Sequence, residues 1–116
     1  MSDITLDPDN PFEAALIAMV ETHRRKGTDY AGANAHPNQN FYDTGYQLGL
    51  TGGHAVEALL ATKAARLRVL LPKHWSNGSG PLNEGIADTL LDRAVYAVIA
   101  MTLWEEGGYD MGESED

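Results

Sequence analysis

No cysteine occurs among the 116 residues, which removes disulfide staples, thiolate catalysis and sulfur-ligated zinc, and makes a reducing cytosol the expected compartment. Basic residues are scarce. Eight Lys and Arg stand against 17 Asp and Glu, a formal charge of −9. Neutralising a run of phosphates needs the opposite balance, so duplex nucleic acid is not an expected partner, whereas a small anion remains one if a cation mediates. No leader is expected from the opening residues, and the sequence shows no internal repeat, no apolar run fit to span a membrane, and no stretch with the period of two that marks a strand. What is left reads as one all-α domain over residues 1–106, a small bundle of three long helices and a short one, followed by a solvated acidic tail over 107–116.

Punctuation places the helices. Asn10, Pro11 and Glu13 have the pattern of an N-cap, a first-turn proline and a first-turn acid. A helix is therefore predicted from Phe12 to about Lys26, with Phe12, Leu16, Met19 and Val20 on its apolar face, His23 at the end of that face as a core histidine, and Gly27 as the stop. Residues Gly27 to Asn40 read as a loop rich in small and amide side chains. A short helix with Phe41 and Tyr46 follows. The third helix is predicted over His54 to Leu71, with Val56, Leu59, Leu60, Leu67, Leu70 and Leu71 on one face and Pro72 ending it. After a Gly, Ser and Pro-rich connection, Asn83 is the expected cap of the last helix.

That last helix organises the chain. Glu84 to Glu106 reads EGIADTLLDRAVYAVIAMTLWEE, and at about 100° per residue Glu84, Asp88 and Asp92 share a face that continues as Val95 and Ile99. The acids are thus expected to point inward. The other arc carries Ile86, Leu90, Ala94, Ala97, Met101 and Trp104, so helices must cover both sides, and a homodimer or higher homo-oligomer is expected because so short a chain cannot supply them all. Buried like charges need a counter-ion. Two candidates fit: Mg²⁺ or Mn²⁺ held by carboxylate oxygens, or Lys63, which projects from the apolar face of the third helix and itself needs a partner. Glu57 lies where an antiparallel packing would let it join a metal, or else pairs with Arg68 at the surface. Lys26 and Asp29, with Tyr30 beside them, have the groups to bind a phosphate and stack a base; the same Arg24-Arg25-Lys26 run also suits a helix C-terminus.

The segments HRRKGTDYAG (His23 to Gly32), NFY (Asn40 to Tyr42), TKAARL (Thr62 to Leu67) and EGIADTLLDRAVYAVIA (Glu84 to Ala100) together resemble the phage-type MazG-like proteins, small all-α relatives of nucleotide pyrophosphohydrolases that include nucleotide-modification-associated domains. The resemblance implies cleavage of the α–β phosphoanhydride of a nucleoside triphosphate by a Mg²⁺ cluster, held by E-x-x-E and E-x-x-D motifs on adjacent helices of an oligomer. On this chain the first motif falls at His54-x-x-Glu57 and the second at Gly85-x-x-Asp88, with Glu84 displaced by one residue; Glu57 and Asp88 match outright.

Two uses of such a site follow. In the first, Glu57 and Asp88 are catalytic, Glu57, Glu84, Asp88 and Asp92 hold the metal, Lys26, Asp29, Lys63 and Arg66 meet phosphate, and Tyr30, Asn40 and Phe41 hold the nucleoside. The product is pyrophosphate from a (deoxy)nucleotide. In the second, the alternative that the altered motifs support, a phage protein in the host cytoplasm binds a nucleotide immune signal without hydrolysing it.

Overall fold

A computed structural model describes the backbone of residues 3–31, 36–77 and 81–111, and the side chains of these apart from 27–31, 77 and 81–84. Among the described residues the structure is all-helical: α1 (Pro11–Ala31), α2 (Gln39–Gln47), α3 (Gly52–Asn77) and α4 (Pro81–Glu105), with no strand. None of these helices is long and apolar enough to cross a membrane.

The start of α1 follows from Asn10. Its side-chain oxygen accepts the backbone N–H groups of Phe12 (3.0 Å) and Glu13 (3.1 Å), two of the donors a helix start leaves unpaired. Gly27 does not stop α1, which runs on to Ala31, because a mid-helix glycine costs only about 1 kcal/mol relative to alanine. Pro72 likewise lies inside α3 rather than at its end. It forfeits one hydrogen bond to the preceding turn, yet the helix resumes for five residues. At α4 the first helical residue is Pro81, so Asn83 sits within the first turn instead of capping it.

Two glycines end helices. Gly49 has φ 70° and Gly107 φ 78°, the left-handed region that closes a helix. In each case the following N–H reaches back five residues, Leu50 to the Gly45 carbonyl and Gly108 to the Leu103 carbonyl, both at 2.7 Å.

The core is a column of Phe41 from α2, Val56 from α3 and Val95, Ile99 and Leu103 from α4, with Met19 of α1, Leu59, Leu60 and Tyr96 packed against it. Helices α3 and α4 run antiparallel. Gly53 N–H donates to the Gly108 carbonyl at one end (2.8 Å), and the Leu70 side chain approaches Gly85 at the other. Gly108 is buried, and the Tyr109 ring lies so close over Gly53 that a Cβ there would collide with it. The residues after 106 read as a solvated tail therefore begin with a packed turn; 112–116 lie outside the described residues. α1 is less fully covered than its sequence pattern suggests, with Phe12 73% and Val20 44% exposed.

Candidate functional site: a cleft beside an ion-paired carboxylate

Successive acids on α4 do not stay on one face. Each four-residue step overshoots a full turn by about 40°, so the ladder winds away from the core as it runs toward the helix start. Thr89, Val95, Ile99 and Leu103 are buried, Asp92 lies on the edge of that stripe, and Asp88 is exposed. The expectation that both acids point inward holds for Asp92 alone. Glu84 lies outside the described side chains.

Asp92 is where three helices meet through charge. Lys26 Nζ of α1 is 3.0 Å from its Oδ1, and Lys63 Nζ of α3 is 3.0 Å from its Oδ2. The carboxylate is 19% exposed. Burial alone would push its pKa up, but the hydrogen bonds and charge of Lys26 and Lys63 outweigh that and hold it below the ordinary aspartate value. Lys63, one of the two counter-ions the sequence leaves open for the acids, has its ammonium at Asp92.

Next to this triad opens a cleft of about 180 Å³, lined by residues of all four helices and Pro37. Lys26, Asn40, Phe41 and Asp92, all singled out from sequence, lie on its wall. Lys63 does not; it meets the second oxygen of Asp92 from a position one turn beyond the wall residue Leu59 on α3. Phe41 and Tyr96 meet edge to face with centroids 6.3 Å apart. The wall near Asn40 is held by Asn38, a buried amide on the same segment that donates to Thr102 Oγ1 (3.1 Å) and Glu106 Oε1 (2.6 Å). His36 Nε2 lies 3.1 Å from the other Glu106 oxygen. The Glu106 carboxyl is held below its ordinary value, first by the Asn38 hydrogen bond, against the opposing effect of burial, and further by Tyr42 and His36.

The remaining predicted site residues are elsewhere. Glu57 is exposed and accepts the Tyr109 hydroxyl at 2.7 Å. His54, aligned with the missing acid of the first motif, belongs to the start of α3: its N–H donates to Thr51 Oγ1 (3.1 Å), while its ring nitrogen lies 2.6 Å from the same oxygen. This is a capping arrangement with histidine in place of the usual Glu or Gln. Arg66 is exposed, with its guanidinium near Gly85. Asp29 and Tyr30 fall in the last turns of α1, where side chains lie outside the described set. Three wall residues were not foreseen. His23 is exposed on the cleft rather than a core histidine, Pro37 precedes α2, and Tyr96 carried a readable signal, since it lies one helical turn after Asp92.

The described acids, as arranged, do not form a site for the metal that the resemblance implies. Both oxygens of Asp92 are engaged by lysines, Asp88 is exposed, and Glu57 is turned to Tyr109. From the antiparallel pairing of Lys63 with Asp92, Glu57 lies level with α4 residues around 98, about 15 Å along the helix from Asp88 at roughly 1.5 Å per residue. Among the described residues no three His, Asp or Glu side chains converge on one point. No protein-family model, curated protein or solved structure matches the chain.

Proposed function

We propose that the protein is a MazG-like helical protein of the cytoplasm, the host's if the chain is phage-encoded, that binds a (deoxy)nucleotide in the cleft between α1, α2 and α4. The observation that carries this reading is the junction of two chemistries at one opening. A cation, Lys26, and an apolar, partly aromatic set of Phe41, Tyr96, Val95 and Ile99 line the same cleft. A nucleotide needs both, a positive group for phosphate and flat apolar surface for the base. At about 180 Å³ the cleft is below the roughly 300–1,000 Å³ usual for ligand pockets. It therefore takes a ring system, with sugar and phosphate toward its open side. Asn40 offers an amide donor and acceptor to a base edge.

Calorimetry with the common deoxynucleotides in EDTA tests the proposal. Binding at one site per chain, weakened at least tenfold in Lys26→Gln and in Phe41→Ala, is expected. Absence of binding by every nucleotide, with and without Mg²⁺, would sink it.

A second reading, Mg²⁺-dependent release of pyrophosphate, draws on the resemblance of the α4 segment and on Asp92 standing at the cleft. It requires acids from outside the described set, Glu84 or those of another copy, to complete a metal site with Asp88 and Asp92. Nucleotide recovered cleaved only when Mg²⁺ or Mn²⁺ is present, with loss of cleavage in Asp88→Ala, would favour it over simple binding. Both readings are compatible with a homo-oligomer, which the uncovered apolar arc of α4 supports.

A further inference from the structure

The chain has eight Lys and Arg residues, all with described side chains, and Lys26 is the one of them on the cleft wall. Its ammonium already faces the Asp92 carboxylate, and the second ammonium, that of Lys63, meets the other oxygen of the same carboxylate. The three groups sum to one positive charge, with the negative member between the two positive ones. Resting on the nucleotide-binding reading, we propose that the site is built for a ligand carrying a single phosphate, a nucleoside monophosphate, and that Asp92 is the specificity-determining residue that disfavours polyphosphate chains.

The argument is one of charge placement. A single phosphate can share the Lys26 ammonium with Asp92, much as one ammonium with three donors serves two acceptors. A triphosphate brings further ionised groups that meet no second cation on the wall and lie near a fixed carboxylate. Like charges brought together in a partly desolvated site repel far more than in water. A divalent ion is the usual remedy for such a chain, and the described acids are not arranged to hold one. Lys26 and Lys63 thus occupy, around Asp92, the part that a metal would otherwise play.

The test is calorimetry in EDTA with dAMP, dGMP, dCMP and dTMP against the corresponding triphosphates. For whichever base binds, the triphosphate should be no more than threefold tighter than the monophosphate in the wild type. In Asp92→Asn, which leaves two ammonium groups without their anion, triphosphate affinity should rise at least tenfold and monophosphate affinity by less. A wild-type triphosphate more than tenfold tighter than the monophosphate without metal would overturn the proposal while leaving nucleotide binding intact; so would Asp92→Asn weakening both ligands equally. If that variant does not fold, the wild-type ratio decides. Failure of all eight nucleotides to bind would instead remove the nucleotide reading itself.

Discussion

The Tyr109 hydroxyl donates to Glu57 Oε2 at 2.7 Å, across 52 residues of chain. The bond ties the turn that closes α4 to the first turns of α3. The same turn is held by the Gly53 N–H on the Gly108 carbonyl and by the Tyr109 ring over Gly53. Glu57, for which the resemblance implies a metal-ligating role, serves in this structure as the anchor of a clamp at the end of the bundle opposite the start of α4. That placement separates the two residues that match the pyrophosphohydrolase motifs outright.

The clamp sets an alkaline limit on stability. Burial, then the hydrogen bond and charge of Glu57, raise the Tyr109 pKa to about 12 from 10.0. The folded state therefore prefers the protonated phenol. This contribution is fully present below pH 10 and is lost as the pH rises through about 12. Wild type and Tyr109→Phe should differ by about 1.5 kcal/mol at pH 8, since an exposed bond to a charged group falls at the low end of its range. Urea titrations between pH 8 and 12 should show that difference shrinking at the alkaline end. A difference that stays constant to pH 12 would mean that the ring, and not the hydroxyl, supplies the clamp.

At Asp92 the sign is reversed. A carboxyl held below its ordinary value contributes stability above the unfolded pKa of about 3.9, and that contribution is lost as the pH falls through the lowered folded value. Asp92→Asn leaves two ammonium groups facing each other and should cost about 1–2 kcal/mol at pH 7, less than a fully buried pair would because Lys26 is 36% exposed. Melting temperatures of the two proteins should converge as the pH is taken below 4. Parallel melting curves down to pH 2.5 would refute the assignment of that cost to the ion pairs.

Much of the frame is legible in the sequence, and the misreadings have physical causes. Asn10-Pro11 acts through two local hydrogen bonds, so residue type and spacing suffice to find it, whereas Gly49 and Gly107 close α2 and α4 by a left-handed φ that residue type alone does not announce. Gly27 and Pro72 are local signals that the rest of the helix overrides, at the cost of backbone entropy or a single hydrogen bond. Lys63 could be recognised as needing a partner because it interrupts an apolar face. Which acid answers it depends on the register of α3 against α4, and that is set by packing at Gly53, Gly85 and Gly108 rather than by any motif. His23 and Pro37 escaped for the same reason: each lies on the cleft through tertiary placement, with no characteristic spacing to Asp92.

Asn38 should be more costly to alter than its place before a short helix suggests. Its buried amide is the donor to both Thr102 and Glu106, and it precedes Asn40 and Phe41 on the segment that walls the cleft. Asn38→Ala leaves two acceptors short of a partner and is expected to cost about 2 kcal/mol. Nucleotide affinity should fall about threefold to tenfold as the wall loosens. Thermal denaturation and calorimetry on the same sample check both halves. Full destabilisation with unchanged affinity would mean that the cleft does not depend on this anchor.

The outer arc of α4 carries the last prediction. Leu90, Met101 and Trp104 are 49%, 67% and 68% exposed, and with Ala94, Ala97 and Val98 they follow the three-and-four spacing of a helix face meant for contact. Fully covering one large apolar side chain contributes about 1.5–3 kcal/mol, so three of them leave a strong incentive for association. A symmetric pairing of this face in two copies is expected, because a self-complementary patch closes with twofold symmetry. Light scattering should give a mass of two chains or a multiple of it. Met101→Glu with Trp104→Glu should yield a folded monomer of unchanged helicity, since neither side chain belongs to the core column of Val95, Ile99 and Leu103. A wild-type mass of one chain at micromolar concentration would show that the arc is left bare in solution.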